Sequence, residues 1–201
     1  MIHHIEQNTP EWHQLRCGVI TASHFDTIMA NEGKAFGEPA KKYACKIALE
    51  MFTKTPIESE YKNSHMDRGH EQEPIARLLY ELHHDQVQDG GFATDGTFGA
   101  SSDGLVCDSG MIEIKSVVYN VHFDRLKKGG INNAYEWQIV GAMWQYNRSW
   151  CDFVQFCADF PSHKQLYVFR VERDLEREQR LLERLGKFNE LVMDNYNLLI
   201  S

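Results

Sequence analysis

Apolar residues recur at three- and four-residue spacing through most of the chain and alternate with polar ones only in its middle, which predicts helices around a strand-rich centre. Thr9-Pro10-Glu11 has the form of an N-cap followed by proline at the first helical position. It opens a short helix through Leu15-Arg16 that Gly18 ends. Thr21-Ala22-Ser23 opens a second helix carrying Phe25, Ile28 and Met29, and residues 31–37 form a polar loop. A third helix covers 39–53 with Tyr43, Ile47, Met51 and Phe52 inward. A fourth follows Arg68-Gly69 with Ile75, Leu78, Leu79 and Leu82 as its stripe.

From Val87 to Val118 the pattern shortens to period two, broken by glycines, which predicts three or four strands with hairpin turns. Helical periodicity returns over 119–128 and 134–147. Two apolar runs, Phe153-Val154-Gln155-Phe156 and Leu166-Tyr167-Val168-Phe169, flank a turn at Pro161-Ser162-His163. A long amphipathic helix from about residue 173 closes the chain, with Leu181, Leu182, Leu185, Phe188 and Leu191 buried. No repeat, low-complexity tract or linker interrupts this order. The expectation is one α/β (α+β) domain over 1–201, with a central mixed sheet flanked by helices.

Composition agrees and narrows the setting. A chain of 201 residues with 42% hydrophobic side chains can bury a sizeable core. No apolar run is long enough to span a bilayer, and the N-terminal residues lack a secretion signal, so no membrane partner and a cytoplasmic location are expected. The cysteines (Cys17, Cys45, Cys107, Cys151 and Cys157) form no C-x-x-C pair, which argues against a disulfide framework or zinc knuckle. Cys151 and Cys157 read as small buried residues. A net charge of -8 disfavours nucleic acid as a partner at first sight, but a carboxylate centre that binds cations reverses its own local field.

The candidate chemistry lies in the strand-rich centre. In Met111-Ile112-Glu113-Ile114-Lys115, Ile112 and Ile114 point one way and Glu113 and Lys115 the other. Gly104 and Asp108-Ser109-Gly110 permit a tight reversal that sets Asp103 beside Glu113. Two carboxylates and an ammonium in one place suit a hard divalent cation and a phosphodiester. Taken alone, Glu113 and Lys115 read as the solvated face of a strand. Glu73 near a helix start complements the helix dipole or supports a second cation. Gln138 is an ordinary helix residue or a group that orients water. Arg16 and Ser23 bracket a helix start, where an anion site and a simple cap are alternative readings.

Taken together these segments resemble the phage lambda exonuclease family, the YqaJ-type viral recombinases. Glu11-Trp12-His13-Gln14-Leu15-Arg16-Cys17-Gly18-Val19-Ile20-Thr21-Ala22-Ser23 is similar to the family's N-terminal signature. Gly69 to Glu73, Ser102-Asp103-Gly104, Glu113-Ile114-Lys115 and Gln138 follow in family order. The resemblance implies a restriction-endonuclease-like PD-(D/E)xK core. It implies processive 5′→3′ digestion of duplex DNA from double-strand ends, in a phage- or prophage-encoded protein. It also implies a 3′ overhang passed to a single-strand annealing protein, a toroidal homotrimer, and two Mg2+ ions for which Mn2+ substitutes.

By matching positions, Asp103, Glu113 and the Ile114 carbonyl would bind metal, and Glu73 would support the second ion. Lys115 and Gln138 would place the nucleophilic water and the scissile phosphate, and Arg16 and Ser23 would hold a 5′-phosphate. Ser102 replaces the proline that names the superfamily, and Ala142 stands where a related Q-x-x-x-Y pattern has tyrosine. Two rival readings stay open: an endonuclease or junction resolvase on the same fold, and a catalytically idle DNA-end or recombinase-binding module.

Overall fold

The computed structural model describes residues 1–57 and 64–201. In chain order its elements are β1 (Ile2–His3), α1 (Pro10–Leu15), β2 (Ile20–Thr21), α2 (Phe25–Met29), α3 (Glu38–Thr53), α4 (Ser64–His83), β3 (Val87–Gln88), β4 (Phe92–Thr94), β5 (Phe98–Ser101), β6 (Gly104–Val106), β7 (Gly110–Ser116), α5 (Tyr119–Lys128), α6 (Glu136–Tyr146), β8 (Trp150–Phe156), β9 (Leu166–Glu172) and α7 (Leu175–Ile200). The expected mixed sheet is present with the order β3-β6-β7-β8-β9. Strands β6 and β7 form the predicted hairpin, with Gly104 opposite Ile112. Strands β7 and β8 run parallel and are joined through α5 and α6, while β8 and β9 are antiparallel.

A second sheet, β1-β4-β5-β2, was not expected. Its strands are only two to four residues long, too short to display an alternation. Thr21 is extended (φ -104°, ψ 148°) and pairs with Gly99 in parallel with β5, so the second helix starts later than the sequence suggests. A 3-10 turn over Ala22–His24 leads into α2 at Phe25.

Helices cover both faces of the main sheet. On one side α2, α3, α6 and α7 bring Phe25, Ile47, Ile139, Met143, Leu185 and Phe188 against Met111, Cys151 and Phe153. On the other, Ala76 and Tyr80 of α4 pack on Ile112, Ile114, Val154 and Phe156. Gly141 lets α6 approach α2 closely, because a Cβ there would lie 2.3 Å from the Phe25 ring. Cys151 and Cys157 are buried as expected.

Two predicted faces are turned. Helix α4 buries Ala76 and Tyr80, and Ile75, Leu78 and Leu82 stay exposed at 50%, 57% and 67%. The small alanine and the long tyrosine, four residues apart, fit the sheet surface better than the branched stripe beside them. Phe52 also points outward, touching Tyr196 edge-on at 6.5 Å. In α7 the buried row is Leu181, Leu185, Phe188 and Val192, with Leu182 and Leu191 half-buried.

Candidate active site

Ser102 and Asp103 occupy the crossing where the chain leaves β5 of the small sheet and enters β6 of the large one. The hairpin register puts Asp103 next to Glu113, and Asp103 Oδ2 accepts the Ile114 N–H at 2.6 Å. Glu113 and Lys115 share a face of β7, as the alternation predicts, but that face is covered by α6 rather than solvated. Glu113 is 2% exposed. Its Oε1 meets Lys115 Nζ at 2.6 Å and accepts from Gln138 Nε2 at 2.6 Å. The acid, the base and the amide predicted separately therefore meet at one oxygen.

The electrostatics are those of crowded carboxylates. Asp103 is raised well above the usual carboxylate range, first by lost hydration and then by the Glu113 and Glu73 charges; Lys115 and the Ile114 N–H oppose this. For Lys115, burial works to lower the pKa, but Glu113 and Asp103 outweigh it and hold the side chain as an ammonium. The Lys115 ammonium also lies 5.0 Å from the Tyr135 ring centre.

Glu73 and Asp103 line one cleft of about 670 Å³, together with the His4–Asn8 segment, Arg77 and Gly90-Gly91. Among the described residues no three His, Cys, Asp or Glu side chains converge as a metal-holding group. Asp103 and Glu113 are the close pair, and Glu73 acts on Asp103 through its charge from the cleft wall. Ile114 contributes its N–H to Asp103.

Arg16 and Ser23 lie in a second polar cluster. The Arg16 guanidinium stacks over Trp12 at 4.0 Å and donates to Ser101 Oγ at 3.3 Å and Thr21 Oγ1 at 3.4 Å. Thr21 Oγ1 lies 3.2 Å from Ser23 Oγ. Neither hydroxyl caps the helical turn that follows, so the simple-cap reading fails, and Arg16 is half-buried. No carboxylate among the described residues pairs with Arg16, whose pKa burial pulls down to about 10, leaving it cationic at neutral pH. A half-buried guanidinium held by hydroxyls has the donor chemistry that an anion would need. Ser101 connects the two clusters, two residues before Asp103.

The sequence reading did not find Ser101, Thr21 and Trp12 as partners of Arg16, nor Tyr146, whose hydroxyl bonds the Ser102 N–H at 3.2 Å. Ser101 had a signal, since it immediately precedes the S-D-G motif. Tyr146 had none, because 44 residues separate it from Ser102.

The helix-covered mixed sheets that carry these residues have the fold of solved alkaline exonucleases. Two crystal structures of an alkaline exonuclease (LHK-Exo) from Laribacter hongkongensis superpose with TM-scores of 0.84 and 0.86 at 30% and 31% identity; the second is a complex with dAMP. Each match covers 95% of this chain and 96% of that one. A phage related exonuclease from Haemophilus somnus 129PT shares the fold at 17% identity, with a TM-score of 0.66 over 91% of this chain and 95% of its own. Comparison with curated proteins gave no match. Residues 11–148 match the profile of the YqaJ-like viral recombinase domain, and the chain belongs to that family.

Proposed function

We propose that this protein is a Mg2+-dependent, processive 5′→3′ exonuclease that digests one strand of duplex DNA from its ends and leaves 3′ single-stranded overhangs for an annealing protein. Its family and its likeness to the Laribacter exonuclease make it a nuclease acting on DNA in recombination. The observation that carries the finer reading is the meeting of Lys115 and Gln138 on Glu113 Oε1, beside Asp103.

The donors fit a hard divalent cation. Asp103 is buried beside the Glu113 and Glu73 charges, with the Lys115 ammonium opposing them, so a cation there would relieve the crowding. Asp103, Glu113 and the Ile114 carbonyl would hold a first Mg2+ and Glu73 would support a second, with Mn2+ as a substitute. The bound ions would supply Lewis-acid polarisation of the scissile phosphate and of water. Around them, Lys115 sets a fixed positive charge where the pentavalent phosphate accumulates negative charge. The Gln138 carboxamide, anchored on Glu113, orients the attacking water for in-line approach.

The Arg16 pocket suits a 5′-phosphate, with Thr21, Ser23 and Ser101 supplying hydroxyls. An anion site two residues along the chain from the carboxylate centre favours cutting near a 5′ end. Assembly as a toroidal homotrimer belongs to the same reading. The exposed Ile75, Leu78 and Leu82 of α4 offer apolar area for such contacts. Among the described residues no helix is long and apolar enough to cross a membrane.

Digestion of linear duplex labelled at the 5′ or 3′ end, with Mg2+ or with chelator, tests the proposal. Cation-dependent loss of 5′-phosphorylated strands from linear DNA, with closed circles spared, is expected. Cutting of closed circles would transfer the reading to an endonuclease. Inertness with both Mg2+ and Mn2+ would leave a DNA-end binding module.

A further inference from the structure

The proline that names the superfamily is replaced here by Ser102 before Asp103, and Asp103 sits where the chain passes between two sheets. Proline would stiffen this turn through its fixed φ. Serine leaves the backbone freer and adds an N–H that needs a partner once buried. Ser102 is 2% exposed, and every polar group it carries is engaged. Its N–H donates to the Tyr146 hydroxyl at 3.2 Å, and its carbonyl accepts from Gln7 Nε2 at 3.2 Å. Its own hydroxyl donates to the Gly104 carbonyl at 2.9 Å and accepts the Gly104 N–H at 3.2 Å. Gly90 lies against it so closely that a Cβ there would meet Ser102 Cβ at 2.8 Å.

Tyr146 ends α6, the helix that also carries Gln138. The Tyr146 phenol oxygen lies 2.8 Å from the Gly91 carbonyl oxygen and 3.1 Å from that of Ala100, between which its single hydrogen is shared, and it accepts the Ser102 N–H. One phenol thus fastens the end of the small sheet to the residue before Asp103. The tyrosine position of the related Q-x-x-x-Y pattern is a buried alanine, Ala142, so this tyrosine one turn later serves a different end.

We propose that Tyr146 is a positioning residue: acting with the Ser102 hydroxyl, it holds the Asp103 turn in the geometry that the missing proline would otherwise impose. One helix then sets both halves of the centre, Gln138 on Glu113 and Tyr146 on the Asp103 turn. The idea rests on the functional reading above, so its test includes measurements that do not need activity.

Tyr146→Phe keeps the buried ring and removes only the hydroxyl; Ser102→Ala removes the second tie and serves if the first variant does not fold. Three readouts apply to each: Mn2+ titration of the DNA-free protein by calorimetry, amide exchange over 102–104, and kcat and KM on 5′-phosphorylated linear duplex. Mn2+ affinity and kcat are expected to fall by about tenfold or more, the usual effect of losing a group that orients a ligand. KM for DNA is expected to stay within about twofold, because the Tyr146 hydroxyl bonds the backbone of Ser102, Gly91 and Ala100 and not Arg16 or the hydroxyls that hold it, and exchange over 102–104 to accelerate. Folded variants with unchanged Mn2+ affinity, kcat and exchange would reduce Tyr146 to a packing residue and overturn the proposal. Wild-type protein that takes up no Mn2+ and cuts no DNA would overturn the functional reading instead. Unchanged exchange in Tyr146→Phe would then still refute the tether itself.

Discussion

Asp103 Oδ2 accepts the backbone N–H of Ile114 at 2.6 Å, so the strand that presents Glu113 and Lys115 also fixes the acid beside them. Asp103→Asn retains an acceptor oxygen for this bond and removes one charge from a place that also feels Glu113 and Glu73. Relief of like-charge crowding predicts a variant as stable as wild type, or more so, when divalent ions are chelated. Each kcal/mol of relief would raise the melting midpoint by about 2–4 °C in a domain of this size. Nuclease activity should drop at least about 100-fold, since one cation ligand is lost. Scanning fluorimetry in EDTA and an end-labelled digestion check the two halves; undiminished digestion would sink the site assignment.

Lys115 makes the opposite case. Its removal leaves Glu113, 2% exposed, as a buried carboxylate whose remaining hydrogen-bond partner among the described residues is Gln138. Lys115→Met is therefore expected to cost about 3–5 kcal/mol in urea unfolding. Combining it with Glu113→Gln removes the orphaned charge, and the pair should return to within about 1–2 kcal/mol of wild type. Neither protein should cut DNA. Equal instability of single and double variants would mean that the pairing contributes less than the packing around it.

How much of this was legible beforehand depends on the range of each contact. The α1 cap is local and was read correctly: Thr9 Oγ1 accepts the Trp12 N–H at 3.2 Å. The period-two face of Glu113 and Lys115 was equally plain, and the hairpin needed only Gly104 and Ser109-Gly110. Its burial was not, because the covering helix α6 lies a crossover away in sequence. The small sheet escaped because strands of two to four residues are too short to display a period. The α4 stripe misled for a different reason: Ile75, Leu78 and Leu82 satisfy helical spacing, yet the sheet selected Ala76 and Tyr80 by fit. Arg16 stood beside Ser23 at a helix start with two open readings, and the resemblance chose the phosphate one, whereas its partners Ser101 and Thr21 emerged only when β2 paired with β5.

The pocket around Arg16 predicts an end-chemistry effect. Arg16→Ala should lower the rate ratio between 5′-phosphorylated and 5′-hydroxyl duplex by about tenfold, the scale of one charge-assisted contact. Arg16→Lys keeps the charge but loses the planar stack on Trp12 at 4.0 Å, and should recover only part of that ratio. Competition between the two labelled ends in one reaction measures it directly. A ratio unaffected by either change would remove the 5′-phosphate from this pocket.

Two groups near the site respond to acid in opposite directions. Asp26 accepts the Trp137 N–H at 3.4 Å at the start of α6, and its pKa is pushed up from 3.8 to about 6, chiefly by burial and further by Glu136. The folded state therefore holds more protons at Asp26 than the unfolded chain across that window, and the contribution to stability falls as pH rises through it. His24, stacked on Tyr43 at 4.0 Å, is pulled down from 6.5 to about 4, first by burial and then by Lys46 and Arg16. Here the unfolded chain holds more protons, so stability rises with pH from about 4 to 6.5 and is lost as acid charges the ring. The two slopes oppose each other in wild type, and single substitutions separate them. The stability of Asp26→Asn relative to wild type should increase from about pH 4 to pH 6. That of His24→Gln should decrease over nearly the same range. Urea midpoints at matched pH values decide both. Differences that do not vary with pH would show that neither group changes its protonation on folding.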